Sequence, residues 1–270
     1  MNFNEICKAI KEVRIQGAES IALAGIKALK FKNASVKKLL SLRPTEPLLR
    51  NSLTAAKKFN QQFVLDHFKN ARKKYIEYGK KLIKSGFVIF THCHSSAVVS
   101  ILREAKKQGK RFEVFNTETR PLYQGRITTR ELARAGIKVT NIVDAAAGIA
   151  LRKTSILKKT SLMLIGCDAI FSDGSVINKV GSGMFAEIAY HHHIPVYVVG
   201  NSWKFSKRKI KIEIRGYEEI WKRTHKNIKI KNPAFEVVDS KYITAIISDL
   251  GILKPKQFVK KVKKKYPWLR

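Results

Sequence analysis

Acidic residues are scarce: 54 lysines and arginines face 20 aspartates and glutamates, for a formal net charge of +34. Cysteine is scarcer, with single residues at positions 7, 93 and 167. Three thiols without zinc-ligand spacing exclude both a disulfide framework and a structural zinc motif, so they are read as free. No run of about 18 apolar residues exists, which excludes a membrane-spanning helix. The opening Met1-Asn2-Phe3-Asn4-Glu5 lacks the basic and apolar regions of a signal peptide, so a cytoplasmic protein without membrane association is expected. No Gly-x-Gly-x-x-Gly follows the first apolar run and opens a helix, although Gly181-Ser182-Gly183 comes near it; the dinucleotide fingerprint is absent. An aromatic-interleaved RNA motif is also missing, which makes general RNA binding the weakest of the roles that positive charge suggests.

The basic residues that are present are dispersed. Pairs such as Lys57-Lys58, Lys73-Lys74, Lys80-Lys81 and Lys106-Lys107 fall on most expected helix surfaces, as a chain-wide lysine bias would place them. The one dense cluster, Lys260-Lys261-Val262-Lys263-Lys264-Lys265, reads as a solvated terminal helix.

With 270 residues and 44% hydrophobic content, the chain can bury a full core. Residues 5–84 carry apolar side chains at helical spacing: Ile6, Ile10 and Val13, then Ile21, Ala24, Ala28 and Leu29, then Phe59, Phe63, Phe68, Tyr75, Ile76 and Ile83. Ser85-Gly86 ends that pattern. Short apolar runs then alternate with helical stretches: Phe87–Phe90, Phe112–Phe115, Val139–Val143, Leu162–Ile165 and Val196–Val199, with helices expected near 96–108, 128–135, 145–152 and 181–192. The fold class is α/β: a helical N-terminal domain, 1–85, followed by a Rossmann-like domain with a five-stranded parallel sheet, 86–270.

Two of these strands end in reactive side chains. Gly86-Phe87-Val88-Ile89-Phe90-Thr91-His92-Cys93-His94-Ser95 delivers Cys93, and Leu162–Ile165 leads into Gly166-Cys167-Asp168. In open α/β sheets ligands bind beyond the carboxyl ends of strands, so Cys93 and Asp168 are candidates for one site. A helix starting at Ser95-Ser96 would lower the thiol pKa and hold an anion. Strand alternation would turn Cys93 away from His92 and His94, which disfavours a metal site, and His191-His192-His193 reads as a helix end. Cys167 is expected to pack. Ser172-Asp173-Gly174-Ser175 suggests a hairpin turn, and Asn178-Lys179 before Gly181 suggests a phosphate cradle.

Taken together, these segments resemble the family of translation initiation factor 2B regulatory subunits, methylthioribose-1-phosphate isomerases and archaeal ribose-1,5-bisphosphate isomerases. The resemblance runs from Gln16-Gly17-Ala18 and Arg43-Pro44-Thr45-Glu46-Pro47 through Thr91-His92-Cys93-His94-Ser95 and Thr117-Glu118-Thr119-Arg120-Pro121 with Gln124-Gly125. It continues through Asp144-Ala145-Ala146, Gly166-Cys167-Asp168, Ile177-Asn178-Lys179-Val180-Gly181, Lys204-Phe205 and Asn232-Pro233.

The cysteine and aspartate pair is a feature of the isomerases, and Thr-His-Cys-His-Ser looks most like the archaeal ribose-1,5-bisphosphate isomerases. The resemblance implies an aldose–ketose isomerase that uses Cys93 and Asp168 for proton transfer. Gly17, Ala18, Arg43, Gln124, Asn178, Lys179 and Lys204 would hold a phosphorylated sugar. It also implies a homo-oligomer, a dimer or hexamer, with no metal or organic cofactor and with AMP as a possible activator. The alternatives are isomerisation of a related sugar 1-phosphate and a non-catalytic regulatory subunit that binds initiation factor 2. Two departures stand out: Gln16 replaces the family's usual arginine with Glu19 close by, and the N-terminal helical part is shorter than usual.

Overall fold

The computed structural model describes every residue except 13, 16, 45, 153, 224 and 270. Val13, Gln16 and Thr45, each invoked above, lie outside the described residues. Five helices precede the first strand: α1 (Phe3–Lys11), α2 (Ala18–Ala28), α3 (Val36–Leu42), α4 (Pro47–Lys58) and α5 (Gln61–Leu82). Local chemistry sets their starts. Asn2 and Glu5 form a reciprocal capping box on α1, Asn60 accepts from the Phe63 amide at the start of α5, and Pro47 occupies the first turn of α4, where its missing N–H is harmless.

From Val88 onward strands and helices alternate: β1 (Val88–Thr91), α6 (Ser96–Lys107), β2 (Glu113–Thr117), α7 (Gln124–Arg134), β3 (Lys138–Ile142), α8 (Ala147–Ala150) and β4 (Leu162–Gly166). The hairpin of β5 (Ala169–Phe171) and β6 (Val176–Lys179) follows, turning through Ser172–Ser175 as the sequence suggests, and then come α9 (Ser182–His191) and β7 (Val196–Val199). The remainder is β8 (Phe205–Ser206), β9 (Ile214–Arg215), β10 (Asn232–Pro233), β11 (Phe235–Val238), β12 (Ala245–Ser248), β13 (Gly251–Leu253) and α10 (Pro255–Lys265). Among the described residues no helix is long and apolar enough to cross a membrane.

The main sheet has the order β3-β2-β1-β4-β7-β12-β13, parallel throughout except for β13, which returns antiparallel to β12 at the edge. It therefore exceeds the expected five strands by two. The chain adds strands on one side of β1 up to β3 and then crosses to β4 on the other side. That reversal opens a crevice at the carboxyl ends of β1 and β4. Two of the expected helices also differ in extent: α7 begins at Gln124 rather than 128, and the stretch 145–152 holds only the four-residue α8 after a single 3₁₀ turn.

Both faces of the sheet are covered. Phe90, Met163, Ile165, Val198 and Ile246 point into a core shared with α1, α2, α4, α9 and α10, while Ile89, Leu162, Leu164, Val199 and Ile247 point into a second core with α6 and the later half of α5. Strands buried on both faces read as unbroken apolar runs, which is why they are visible in the sequence. The first core runs without a break from Phe3 on α1 to Leu269, so the N-terminal helices and the sheet are packed as one body.

Candidate active site

Beyond the carboxyl ends of β1 and β4 lies a cavity of about 200 Å³. All nine residues singled out from the resemblance line it: Cys93, Asp168, Gly17, Ala18, Arg43, Gln124, Asn178, Lys179 and Lys204. They come from seven separated segments, and the fold brings them together.

Cys93 is not on the strand. β1 ends at Thr91, and Cys93 adopts a left-handed φ of 67°, so the alternation expected for an extended chain does not apply to it. A side chain with Cβ in that region is strained and persists only where its neighbours fix it. Here Thr119 Oγ1 accepts from the Cys93 amide at 3.0 Å, and Thr128 Oγ1 donates to the Cys93 carbonyl at 2.9 Å. The adjacent His92 is buried: Nε2 donates to the Val180 carbonyl at 2.9 Å, and Nδ1 accepts from the Thr117 hydroxyl at 2.5 Å. That assignment follows from the partners. Burial holds the imidazole down to about 4, against the opposing pull of Val180 and Asp144, so it is neutral and ties β1, β2 and the β6–α9 turn together.

The half-buried Cys93 thiol is pushed up to about 11 by desolvation, and the nearby Lys179 ammonium offsets only part of this. The expected lowering by the start of α6 is therefore not met: enclosure outweighs the helix terminus. Burial likewise raises the Asp168 carboxyl above its ordinary range, against the pull of Lys204 and Lys179. At neutral pH the thiol is neutral, and the carboxyl beside it holds its proton more tightly than an exposed aspartate would. Cys167, as expected, is packed, with its sulfur against the Val199 carbonyl at 3.7 Å.

Four cations line the cavity: Arg43, Lys179, Lys204 and Arg215. Arg43 Nη1 reaches both Glu213 carboxylate oxygens at 3.3 Å, and Arg215 Nε donates to the same carboxylate at 3.2 Å, so one acid holds both guanidiniums in place. Lys204 donates to the Cys167 carbonyl. Burial works against its charge, but the surrounding acidic groups, led by Cys167 and Asp168, outweigh it and raise the ammonium. Lys204 is fixed by its neighbours in sequence: Asn51 Nδ2 on α4 donates to the carbonyls of Trp203 at 2.7 Å and Phe205 at 2.9 Å. Burial lowers Lys179, whose ammonium lies 4.7 Å from the centre of the Phe235 ring. Asn178 donates to Ser182 Oγ at 2.8 Å and so stiffens the turn into α9.

Two helix starts also face the cavity. Gly17, with φ at 82°, precedes α2 and leaves its first amides without a side-chain cap, and Ser95 caps α6. Free amides and aligned peptide dipoles at such ends attract anions. Among the described residues, several buried polar atoms without a hydrogen-bond partner lie here as well: Arg43 Nε, Glu46 Oε2 and Gln124 Oε1 all belong to residues of this wall. Native interiors rarely leave such atoms unpaired, so the wall is built to receive polar groups.

Glu46 and Arg215 also belong to this wall, and nothing in the sequence marks either for it. Glu46 was visible only as one residue of the Arg43–Pro47 segment, and Arg215 was one basic residue among 54. Neither has a local signature, because each reaches the cavity through tertiary packing. Among the described residues no group of three or more His, Cys, Asp and Glu side chains is arranged to hold a metal ion. Cations, helix starts, a thiol and a carboxyl raised above its ordinary range suit an anionic polyol on which protons are moved.

Residues 33–255 match the model of the Initiation factor 2 subunit family. The ribose 1,5-bisphosphate isomerase of Methanocaldococcus jannaschii is 35% identical, over 98% of this chain and 96% of that protein. The 5-deoxyribose 1-phosphate isomerase of Petrotoga mobilis is 33% identical, over 93% and 87% respectively. Among solved structures, the translation initiation factor eIF-2B of Pyrococcus horikoshii OT3 superposes with a TM-score of 0.82 at 28% identity, covering 95% of this chain and 98% of that one.

Proposed function

The chain belongs to the initiation factor 2 subunit family, and from that premise we propose that it is a sugar-phosphate isomerase, converting ribose 1,5-bisphosphate to ribulose 1,5-bisphosphate. The observation that carries this reading is that Cys93 and Asp168 line one cavity with four cations and two helix starts. A bisphosphate needs two anion sites, and α2 with Arg43 and Lys204, and α6 with Lys179, can supply them.

A sugar phosphorylated at its anomeric carbon cannot open unaided. In the proposed step, Asp168 gives its proton to the ring oxygen as the C1–O bond breaks, while the Cys93 thiolate takes the proton from C2, leaving an enol at C1 and C2. Cys93 then returns its proton to C1, and the C2 hydroxyl gives its proton back to Asp168 as the ketone forms. No proton is gained or lost overall. A carboxyl raised above its ordinary range suits the acid, and a thiol raised to about 11 makes a strong base once ionised. The sign of the pH effect follows. While Asp168 remains protonated, kcat/KM rises with pH by about tenfold per unit, because each unit multiplies the thiolate fraction tenfold.

Isomerisation of a sugar 1-phosphate without the second phosphate is the other reading with specific support, from the resemblance to the 5-deoxyribose 1-phosphate isomerase and from the engagement of Arg43 and Arg215 by Glu213. The two are separated by assaying purified protein on ribose 1,5-bisphosphate and on 5-deoxyribose 1-phosphate, with and without AMP and with no metal added. The expected result is a higher kcat/KM on the bisphosphate. Faster turnover of the 1-phosphate would move the assignment to that substrate. A folded protein that converts neither would sink the isomerase reading and point to a regulatory subunit that binds initiation factor 2. The proposed enzyme is a homo-oligomer.

A further inference from the structure

Glu46 stands apart from the groups that the reaction requires. It occupies the N-cap of α4, where an acidic side chain ordinarily accepts from the amides of the first turn, yet it makes no such bond. The side chain instead lies in the cavity wall at 6% exposure, with Oε2 lacking a hydrogen-bond partner. A buried carboxyl with an idle oxygen, placed against a ligand cavity, is poised for a ligand.

We propose that Glu46 is a further ligand-binding residue of this site: it binds a proton as the sugar phosphate enters and donates the resulting hydrogen bond to a ligand oxygen. The inference rests on the isomerase reading and adds a residue to it. Asp168, Lys204, Arg43, Glu213 and Cys167 face this carboxyl, and Glu19 on α2 lines the same cavity. The neighbouring cations do not settle its charge. Arg43 is held by Glu213, and the Lys204 ammonium, which donates to the Cys167 carbonyl, is shared by Asp168 and Glu46 as an electrostatic partner. Burial, reinforced by Asp168, pushes Glu46 to about 8, against the pull of Lys204 and Arg43. Sugar phosphates have lost their second proton well below that pH, so a phosphate oxygen beside Glu46 accepts and the carboxyl must supply the hydrogen. An ionised Glu46 would repel the same oxygen.

The test is a calorimetric titration of the full-length protein with ribulose 1,5-bisphosphate at pH 9, in two buffers of different ionisation enthalpy, which reads out the protons taken up on binding. Wild type is expected to take up about one proton more than Glu46→Gln, because a group with a pKa near 8 is mostly ionised at pH 9 before the ligand arrives. The affinity of wild type should weaken by up to about tenfold from pH 8 to pH 9 relative to Glu46→Gln, whose neutral amide can still donate. Because Asp168 faces Glu46, the comparison is repeated in the Asp168→Asn background, where the difference in proton uptake between Glu46 and Gln at this position should persist. Glu46→Ala, checked for folding by near-ultraviolet circular dichroism, should lose the same proton. Equal proton uptake by wild type and both variants would overturn the role of Glu46 and leave the isomerase reading standing. No binding by folded wild type would overturn both.

Discussion

Asp168→Asn and Cys93→Ser are each expected to lower kcat on ribose 1,5-bisphosphate by about 10²–10⁴-fold, the usual range for removing one acid–base group. Asparagine keeps the shape of the carboxyl and its ability to hydrogen-bond but has no proton to give to a ring oxygen. Serine keeps a hydroxyl where the thiol stood, and an alcohol ionises far less readily than a thiol even when burial has raised the thiol to about 11. Both changes leave the cations and helix starts assigned to the phosphates in place, although Asp168 and Cys93 face Lys179 and Asp168 also faces Lys204, so kcat should fall by far more than KM moves and kcat/KM should fall with kcat. Product formation under saturating substrate is the measurement, with circular dichroism to establish that both variants fold. Turnover within a few-fold of wild type in either variant would remove that residue from the proton-transfer scheme.

Trp203→Ala is expected to destabilise the protein by about 3–5 kcal/mol, a large share of the roughly 5–15 kcal/mol that typically holds a domain folded. Trp203 is fully buried and stacks on His67 with ring centres 3.7 Å apart. It also meets Phe63 and Phe68 of α5, and Tyr266 and Trp268 beyond α10, with ring centres within 6.2 Å. Removing the indole leaves a void where an N-terminal helix, the start of β8 and the C-terminal segment converge. The effect should extend to activity, because the next residue is Lys204 and Asn51 holds the carbonyl of Trp203 itself. Urea unfolding reads the stability loss, and Trp203→Phe should recover part of it by refilling the space. A midpoint for Trp203→Ala equal to that of wild type would show that this aromatic cluster is not a support of the fold.

The parallel sheet was legible in the sequence because its strands are apolar on both faces and short enough to stand out between helical stretches. β12 does not stand out, although Ala245–Ser248 is buried throughout, since its two isoleucines lie between Ala245 and Ser248 and follow Val237-Val238 and Tyr242-Ile243 with only short polar breaks. β13 depends on β12 for its identity as an edge strand. The small sheet β11-β6-β5-β8 was visible only as a turn, because its outer strands pair across long gaps in the chain.

At the site, spacing revealed that Cys93 and Asp168 follow the two strands that flank the reversal in strand order. It could not reveal that Cys93 leaves the strand with a left-handed backbone, which is set by hydroxyls 26 and 35 residues away. Nor could it set the thiol's acidity. A local view sees the helix start at Ser95 and predicts a lowered pKa, whereas the enclosure that raises it is assembled from the whole fold. Arg43 and Glu213 are separated by 170 positions and still fix each other.

The packing of the N-terminal helices and the sheet as one body has a consequence for how such a gene could be divided. Gly17, Ala18, Arg43 and Glu46 lie before β1, whereas Cys93, Asp168, Lys179, Lys204 and Arg215 lie after its start. A cut between Leu82 and Val88 falls where the chain passes from helix to strand, yet it gives each product only one wall of the cavity. Recombination at that point would trade half of a binding surface, and a new half would have to match the old one in charge and shape. The two parts of the chain are thereby bound to a shared evolutionary history, and a change in substrate preference would have to be accommodated on both sides of that junction.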